Sequence, residues 1–234
     1  MKNLIVGNWK MNPVSQKESK EIFDAIKDGV KGLNSEVVIC PPFVYLSELK
    51  GLILGAQNVF YEDKGAFTGE ISVEMLKDLG VEYIIIGHSE RRKYFAETDE
   101  IINKKIKKSL ETGLKVVFCI GETQKQHDAG EKNKILENQI KIGLNGVENF
   151  ENLNIAYEPV WAIGTGNNCS AEETKKSIEF IRKFMSENTR ILYGGSVKSE
   201  NSGDYIKNAG ANGLLVGGAS LKAEEFIKIV KSAE

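Results

Sequence analysis

The sequence predicts an α/β fold: a single closed (β/α)8 barrel over residues 1–234, with parallel strands inside an outer ring of helices. Three observations carry that expectation. Eight short apolar runs recur along the chain, several segments between them have helical periodicity, and no break in composition divides the 234 residues. An open doubly wound sheet uses the same alternation, so periodicity leaves closure undecided.

The runs lie at residues 4–6, 37–40, 52–56, 83–86, 116–120, 155–157, 191–193 and 214–216. Several are rich in β-branched residues, lack polar alternation and are bounded by Gly, Pro or Asn. That pattern suits strands buried on both faces of a parallel sheet. After the first run, Ile22, Ala25, Ile26 and Val30 form a helical stripe. The segment after Phe43 is barely long enough for a crossover between parallel strands and predicts a short helix. Ile102, Ile106 and Leu110 form a second stripe, Ile178, Ile181 and Met185 a third, and Ala223, Phe226, Ile227 and Val230 a fourth. Lysines and glutamates fill the opposite faces and read as solvated surface.

Lys and Arg number 31 against 33 Asp and Glu, so no excess charge points to nucleic acid or an anionic membrane as partner. The first run ends at Val6, far short of a signal-peptide core or a membrane span. Cys40, Cys119 and Cys169 are an odd set without metal-ligand spacing. Cys40 and Cys119 end apolar runs, where a reduced core thiol is expected, and the cytoplasm is the expected compartment. With His88 and His127 the only histidines, no histidine-based metal site is expected, and no redox motif is present.

The unusual polar residues follow the runs instead of interrupting them. Asn8 and Lys10 follow the first, His88 the fourth and Glu158 the sixth, while Gly194-Gly195-Ser196 follows the seventh and Gly217-Gly218 the eighth. In a (β/α)8 barrel the C-terminal strand ends share one mouth, so these residues would converge. Pro159, which lacks an N–H, stops the strand ladder directly after Glu158. Val160-Trp161-Ala162-Ile163 is apolar where a solvated turn would stand, and it closes on Gly164-Thr165-Gly166. This reads as a lid with a base at its root; the plainer reading is a buried loop with Glu158 in a structural ion pair.

Glu158 is a candidate general base for a proton on carbon. His88 could hydrogen-bond a substrate oxygen, although a lone His after a strand is often only structural. Lys10 could neutralise an anion, or be a surface lysine. Ser196 and the two diglycines offer backbone N–H groups at the starts of segments that could be helical, an anion cradle at the usual phosphate site of this architecture. Together these suggest proton transfer next to a carbonyl in a small phosphorylated molecule.

Seven segments resemble the triosephosphate isomerase family. They are Gly7-Asn8-Trp9-Lys10-Met11-Asn12, Gly65-Ala66-Phe67-Thr68-Gly69-Glu70, Ile86-Gly87-His88-Ser89-Glu90-Arg91-Arg92 and Cys119-Ile120-Gly121-Glu122. The others are residues 156–166 around Glu158, Tyr193-Gly194-Gly195-Ser196-Val197 and residues 215–221 around Gly217-Gly218. The resemblance implies interconversion of dihydroxyacetone phosphate and glyceraldehyde 3-phosphate through an enediolate, without cofactor or metal. It implies Glu158 as the proton shuttle, His88 as a neutral electrophile, Lys10 and Asn8 as binding and polarising groups, and Glu90 as an assistant beside Lys10. The phosphate would lie on the backbone of Gly164, Ser196, Gly217 and Gly218, with Tyr193 helping to hold the lid shut. The loop at residues 61–70 is longer than its connection requires. By the same resemblance it docks Phe67 and Thr68 into a second copy, near that copy's Asn8 and Lys10, to form a homodimer.

Some positions depart from the family pattern. The chain is shorter than the ~250 residues typical of such barrels. Thr123-Gln124-Lys125-Gln126-His127 lacks an acidic-arginine pattern, Asn167-Asn168 stands where a lysine is common, and Asn212 where an aspartate is frequent. None replaces a residue with a chemical role. Two other readings compete. An epimerase or aldolase barrel would need metal ligands or a Schiff-base lysine on an inner strand, and a barrel that only binds phosphate would need neither Glu158 nor His88.

Overall fold

Each apolar run forms a strand in the computed structural model, which describes residues 1–162 and 168–234. The strands are β1 Leu4–Asn8, β2 Glu36–Cys40, β3 Ile53–Ala56, β4 Val81–Ile86, β5 Lys115–Ile120, β6 Leu153–Tyr157, β7 Arg190–Tyr193 and β8 Gly213–Val216. Neighbours pair in parallel in chain order. β8 then returns to β1, with Leu4 opposite Gly213 and Gly7 opposite Val216. That pairing closes the barrel and excludes the open sheet.

Successive side chains on a strand point to opposite faces, and here both faces are buried. In β5, Val117 and Cys119 belong to the cluster inside the barrel, while Val116, Phe118 and Ile120 pack outward under the helices. This is why the runs show no polar alternation. Cys40 and Cys119 fill the interior as free thiols, and burial pushes both well above the ordinary thiol range, which makes them inert.

The outer layer of described helices is α1 Gln16–Gly29, α2 Val73–Asp78, α3 Ser89–Phe95, α4 Asp99–Glu111, α5 Gln124–Asp128, α6 Lys132–Gly143, α7 Ala171–Arg182, α8 Ser202–Lys207 and α9 Ala223–Ser232. Ser15, Thr98, Thr123 and Ser170 each accept a first-turn N–H and so start α1, α4, α5 and α7. The short helix expected after β2 is a 3-10 turn at Phe43–Tyr45.

Two helix faces differ from the sequence expectation. In α1 the buried side chains are Ser19, Phe23 and Ile26, while Ala25 is exposed. The stripe is therefore turned toward Phe23, whose larger apolar surface wins the core position. In α4, Lys105 is buried instead of solvated: its Nζ donates to Asn58 Oδ1 at 2.7 Å and is paired with Glu97. Desolvation lowers the Lys105 pKa and the Glu97 carboxylate works against that.

The N-terminal mouth is plugged by an ionic cluster. Glu36 Oε2 pairs with Arg190 Nη1 at 2.6 Å, and Tyr83 Oη donates to Glu36 Oε1 at 2.6 Å. Arg190 also donates to Tyr83 Oη and to Asn154 Oδ1, each at 2.9 Å. These groups satisfy one another, as a barrel end that serves stability requires. The opposite mouth is built differently.

Candidate active site

The C-terminal ends of β1, β4, β6, β7 and β8 surround a cavity of about 530 Å³. Asn8, Lys10, His88, Glu158, Ser196, Gly217 and Gly218 all line it, so residues from both ends of the sequence meet there. Glu90 stands beside it, its Oε1 2.6 Å from Lys10 Nζ. Gly164, expected at the phosphate, and Ile163, expected in the lid, lie outside the described residues.

Glu158 is held from three sides. Its N–H donates to Ile120 O at 2.8 Å, which continues the ladder by one residue before Pro159 ends it. A Cβ on Gly121 would fall 1.7 Å from Glu158 O, and one on Gly194 would stand 3.1 Å from its Cγ, so both glycines make room for this residue. The carboxylate Oε2 accepts the Ser89 N–H, at the start of α3, at 2.9 Å. Oε1 is buried, lies 3.0 Å from His88 Nε2 and has no hydrogen bond of good alignment among the described residues. A buried carboxylate oxygen that faces only a poorly aligned donor is costly. Such groups are found where chemistry needs them.

His88 caps α3: its Nδ1 accepts the Glu90 N–H at 3.2 Å. That bond fixes the tautomer, since Nδ1 must be an acceptor and the ring proton then sits on Nε2, facing Glu158 and the cavity.

Lys10 has a left-handed backbone, φ 55°, a conformation that costs energy for a residue with a Cβ. Several bonds hold it there. Its N–H donates to Asn8 Oδ1 at 3.0 Å, and Gln57 Nε2 donates to both Lys10 O and Cys40 O at 2.8 Å. Gly217 leaves space for the lysine stem, because a Cβ there would lie 3.3 Å from Lys10 Cε. Gln57 was not singled out from the sequence. The signal was present, since it is the first polar residue after the third apolar run.

The glycine-rich segments behave unequally. Gly217 precedes a 3-10 turn at Gly218–Leu221, as an N–H cradle after β8 would have it. After β7 no helix follows directly: α8 begins only at Ser202, and Ser196 Oγ instead donates to Ala162 O at 2.5 Å. The expected helix start at Ser196 is therefore corrected to a turn that braces the segment after Glu158.

That segment is packed, not solvated. Val160–Ala162 forms a 3-10 turn with Ala162 buried. Its anchor, also missed from sequence, is Glu122: fully buried, its Oε1 accepts Trp161 Nε1 at 2.9 Å and Tyr157 Oη at 3.1 Å. His127, which occupies one of the departing positions, packs its ring at a tilt against Trp161, with centroids 4.7 Å apart. Among the described residues no group of three or more His, Cys, Asp or Glu could hold a metal ion.

A sequence model of the triosephosphate isomerase family matches residues 3–233. The chain belongs to the triosephosphate isomerase family. Curated relatives agree along the full length. The triosephosphate isomerase of Alkaliphilus oremlandii is 48% identical over 98% of this chain and 98% of its own. That of Aquifex aeolicus is 47% identical over 99% and 100%, and that of Clostridium botulinum 46% over 97% and 98%.

Proposed function

We propose that this chain interconverts dihydroxyacetone phosphate and D-glyceraldehyde 3-phosphate through an enediolate, as a step of glycolysis and gluconeogenesis. Family membership over residues 3–233 supports the reaction. The observation that carries the residue roles is the pair at the cavity floor: the unbonded Glu158 Oε1 3.0 Å from the proton-bearing Nε2 of His88.

The reaction moves protons and an electron pair within one molecule. Glu158 takes a proton from C1 of the ketone, the C–H pair becomes the C1=C2 bond, and the carbonyl oxygen becomes an oxyanion. His88 Nε2–H and the Lys10 ammonium stabilise that charge as it develops, and Asn8 helps to orient the substrate. Protonation of C2 by the same carboxylic acid, with the hydroxyl proton exchanged between the two oxygens, gives the aldehyde. Reactant and product are isomers, so the step needs neither an external oxidant nor a reductant. Glu90 holds Lys10 at 2.6 Å and thereby aims its charge. Backbone at Ser196, Gly217 and Gly218 would take the phosphate, with Gly164 expected to join them. The turn Val160–Ala162 would exclude water above Glu158.

The same proposal has residues 1–234 acting as one catalytic domain and pairing as a homodimer in the cytoplasm. Free, buried Cys40, Cys119 and Cys169 suit a reducing compartment, and no described helix is long and apolar enough to cross a membrane. For the dimer the support is the loop at residues 61–70, almost wholly exposed and carrying an exposed Phe67. A coupled assay for glyceraldehyde 3-phosphate formation, run without added metal or cofactor, tests the reading. Turnover is expected, and its absence in folded protein would overturn the assignment.

A further inference from the structure

The turn Gly194-Gly195-Ser196 forms one wall of the cavity. Its two ends are tied by hydrogen bonds: Gly194 N donates to Tyr157 O at 2.8 Å, Ser196 Oγ to Ala162 O at 2.5 Å, and Asn201 Nδ2 to Ser196 O at 3.2 Å. Its middle rests on something else. A Cβ on Gly195 would stand 2.2 Å from Tyr193 Oη and 2.5 Å from its Cζ, so the phenol edge of Tyr193 lies directly under the Gly195 backbone. The Tyr193 ring is therefore the floor of the turn.

Among the described residues, Tyr193 Oη is buried and makes no hydrogen bond of good geometry, so the ring is held chiefly by packing. The packing comes from Tyr205 on α8. The two rings stack face to face, with centroids 3.8 Å apart and planes 21° apart. Tyr205 is itself anchored, because its Oη donates to the buried carbonyl of Cys169 at 2.8 Å. A flat, anchored ring thus backs a flat, unanchored one, which supports the backbone that lines the cavity.

We propose that Tyr205 is a positioning residue for phosphate binding, acting through Tyr193 on the backbone of Gly195. The inference rests on the reading that this turn receives the substrate phosphate. Removing the flat face would let the Tyr193 ring tilt into the vacated space, and the backbone of Gly195 would then shift together with the adjoining Ser196 that is proposed to take the phosphate. A phosphate contact is made in ground and transition states alike, so its loss raises KM and leaves kcat nearly unchanged.

The test compares Tyr205→Leu and Tyr205→Phe with the wild type, measuring kcat, KM for triose phosphate, competitive inhibition by inorganic phosphate, and Tm. Tyr205→Leu is expected to raise KM and the phosphate inhibition constant together by about three- to tenfold, the range an aromatic pair supports, with kcat within about twofold. Tyr205→Phe keeps the stack and loses only the bond to Cys169, so both constants should stay within about twofold of wild type while Tm falls. Tyr205→Met, which refills the volume without a flat face, carries the leucine expectation if the leucine variant does not fold. A leucine or methionine variant with lowered Tm but unchanged KM and phosphate inhibition overturns the inference, as does a phenylalanine variant as impaired as leucine. A wild type that isomerises but resists inorganic phosphate overturns the phosphate reading beneath it, and the inference with it.

Discussion

Glu158 is constrained at every atom except the one that matters. Its backbone is fixed by Ile120 and crowded by Gly121, one oxygen is held by Ser89, and the other is buried 3.0 Å from His88 Nε2 without a well-aligned hydrogen bond among the described residues. A base of this kind acts by position, so removing its basicity without altering its shape isolates its share. Glu158→Gln should lower kcat by about 10²–10⁴-fold with little change in KM, read by steady-state kinetics. Glu158→Asp withdraws the carboxylate by one methylene and should cost ~10²-fold, as a misplacement of about 1 Å does. Turnover near wild type in the glutamine variant would remove Glu158 from the mechanism. At this scale the sequence is informative where a residue's type and its place after an apolar run coincide, as for Asn8, Lys10, His88 and Glu158. It marks the place of Gln57 but not what Gln57 and Glu122 bind, because both act by hydrogen bonds to groups far away in the chain. Gln57 supports Lys10 across 47 residues, and Glu122 supports Trp161 across 39. Pattern along a chain cannot show such partners.

The strands are legible because burial on both faces gives an unbroken apolar run, a signal that no register can hide. Helix faces are less so: the first stripe holds at Ile22, Ile26 and Val30 but not at Ala25, and the solvated reading fails at Lys105, because neighbouring elements choose which side of a helix is covered. The plug at the N-terminal mouth is another product of assembly, drawing Glu36 from β2, Tyr83 from β4 and Arg190 from β7. Burial works to raise the Glu36 pKa, but the Tyr83 hydroxyl and the Arg190 guanidinium outweigh it and hold the carboxyl below its ordinary 4.5. A carboxyl depressed by folding contributes stability that is complete above its unfolded pKa and is lost as pH falls through its folded one. The plug should therefore weaken below pH 4.5. Glu36→Gln should show a smaller fall of Tm than wild type between about pH 6 and about pH 3, and parallel curves would refute the assignment. The turn Val160–Ala162 makes a separate prediction. An enediolate can expel a phosphate from the neighbouring carbon when water solvates the leaving anion, and an apolar turn closing over Glu158 would oppose that. Replacing Val160, Trp161 and Ala162 by glycine should lower isomerisation and raise the inorganic phosphate released per product. A fall in turnover at the wild-type ratio would leave the turn a role in binding alone.

On the whole molecule, several exposed apolar side chains lie close in sequence to residues of the mouth. Met11 and Val14, 90% and 92% exposed, follow Lys10 in the chain, Tyr94 and Phe95 close the helix that His88 caps, and Phe67 is 42% exposed on its loop. A monomer gains nothing from such residues, and contiguous exposed apolar surface usually marks a partner. The loop at residues 61–70 is stiffened from within, since Phe67 packs on Phe60 at 4.8 Å between centroids and Asp63 pairs with Lys108 at 2.6 Å. A preformed projection loses little entropy on docking. In the proposed homodimer its receptor would be the segment of a second copy that follows Lys10, where Met11 and Val14 are exposed. That arrangement would brace the strained Lys10 backbone from outside, as Gln57 does from inside. Catalysis and assembly are then linked: Phe67→Asp should yield monomers by sedimentation and lose most activity, although Phe67 lies on a different loop from Glu158 and His88. An interface of ordinary size covers roughly 800 Å² per partner, enough that one buried charge at its centre disrupts it. Wild-type chain that sediments as a fully active monomer at assay concentration would sink both the dimer and the bracing role.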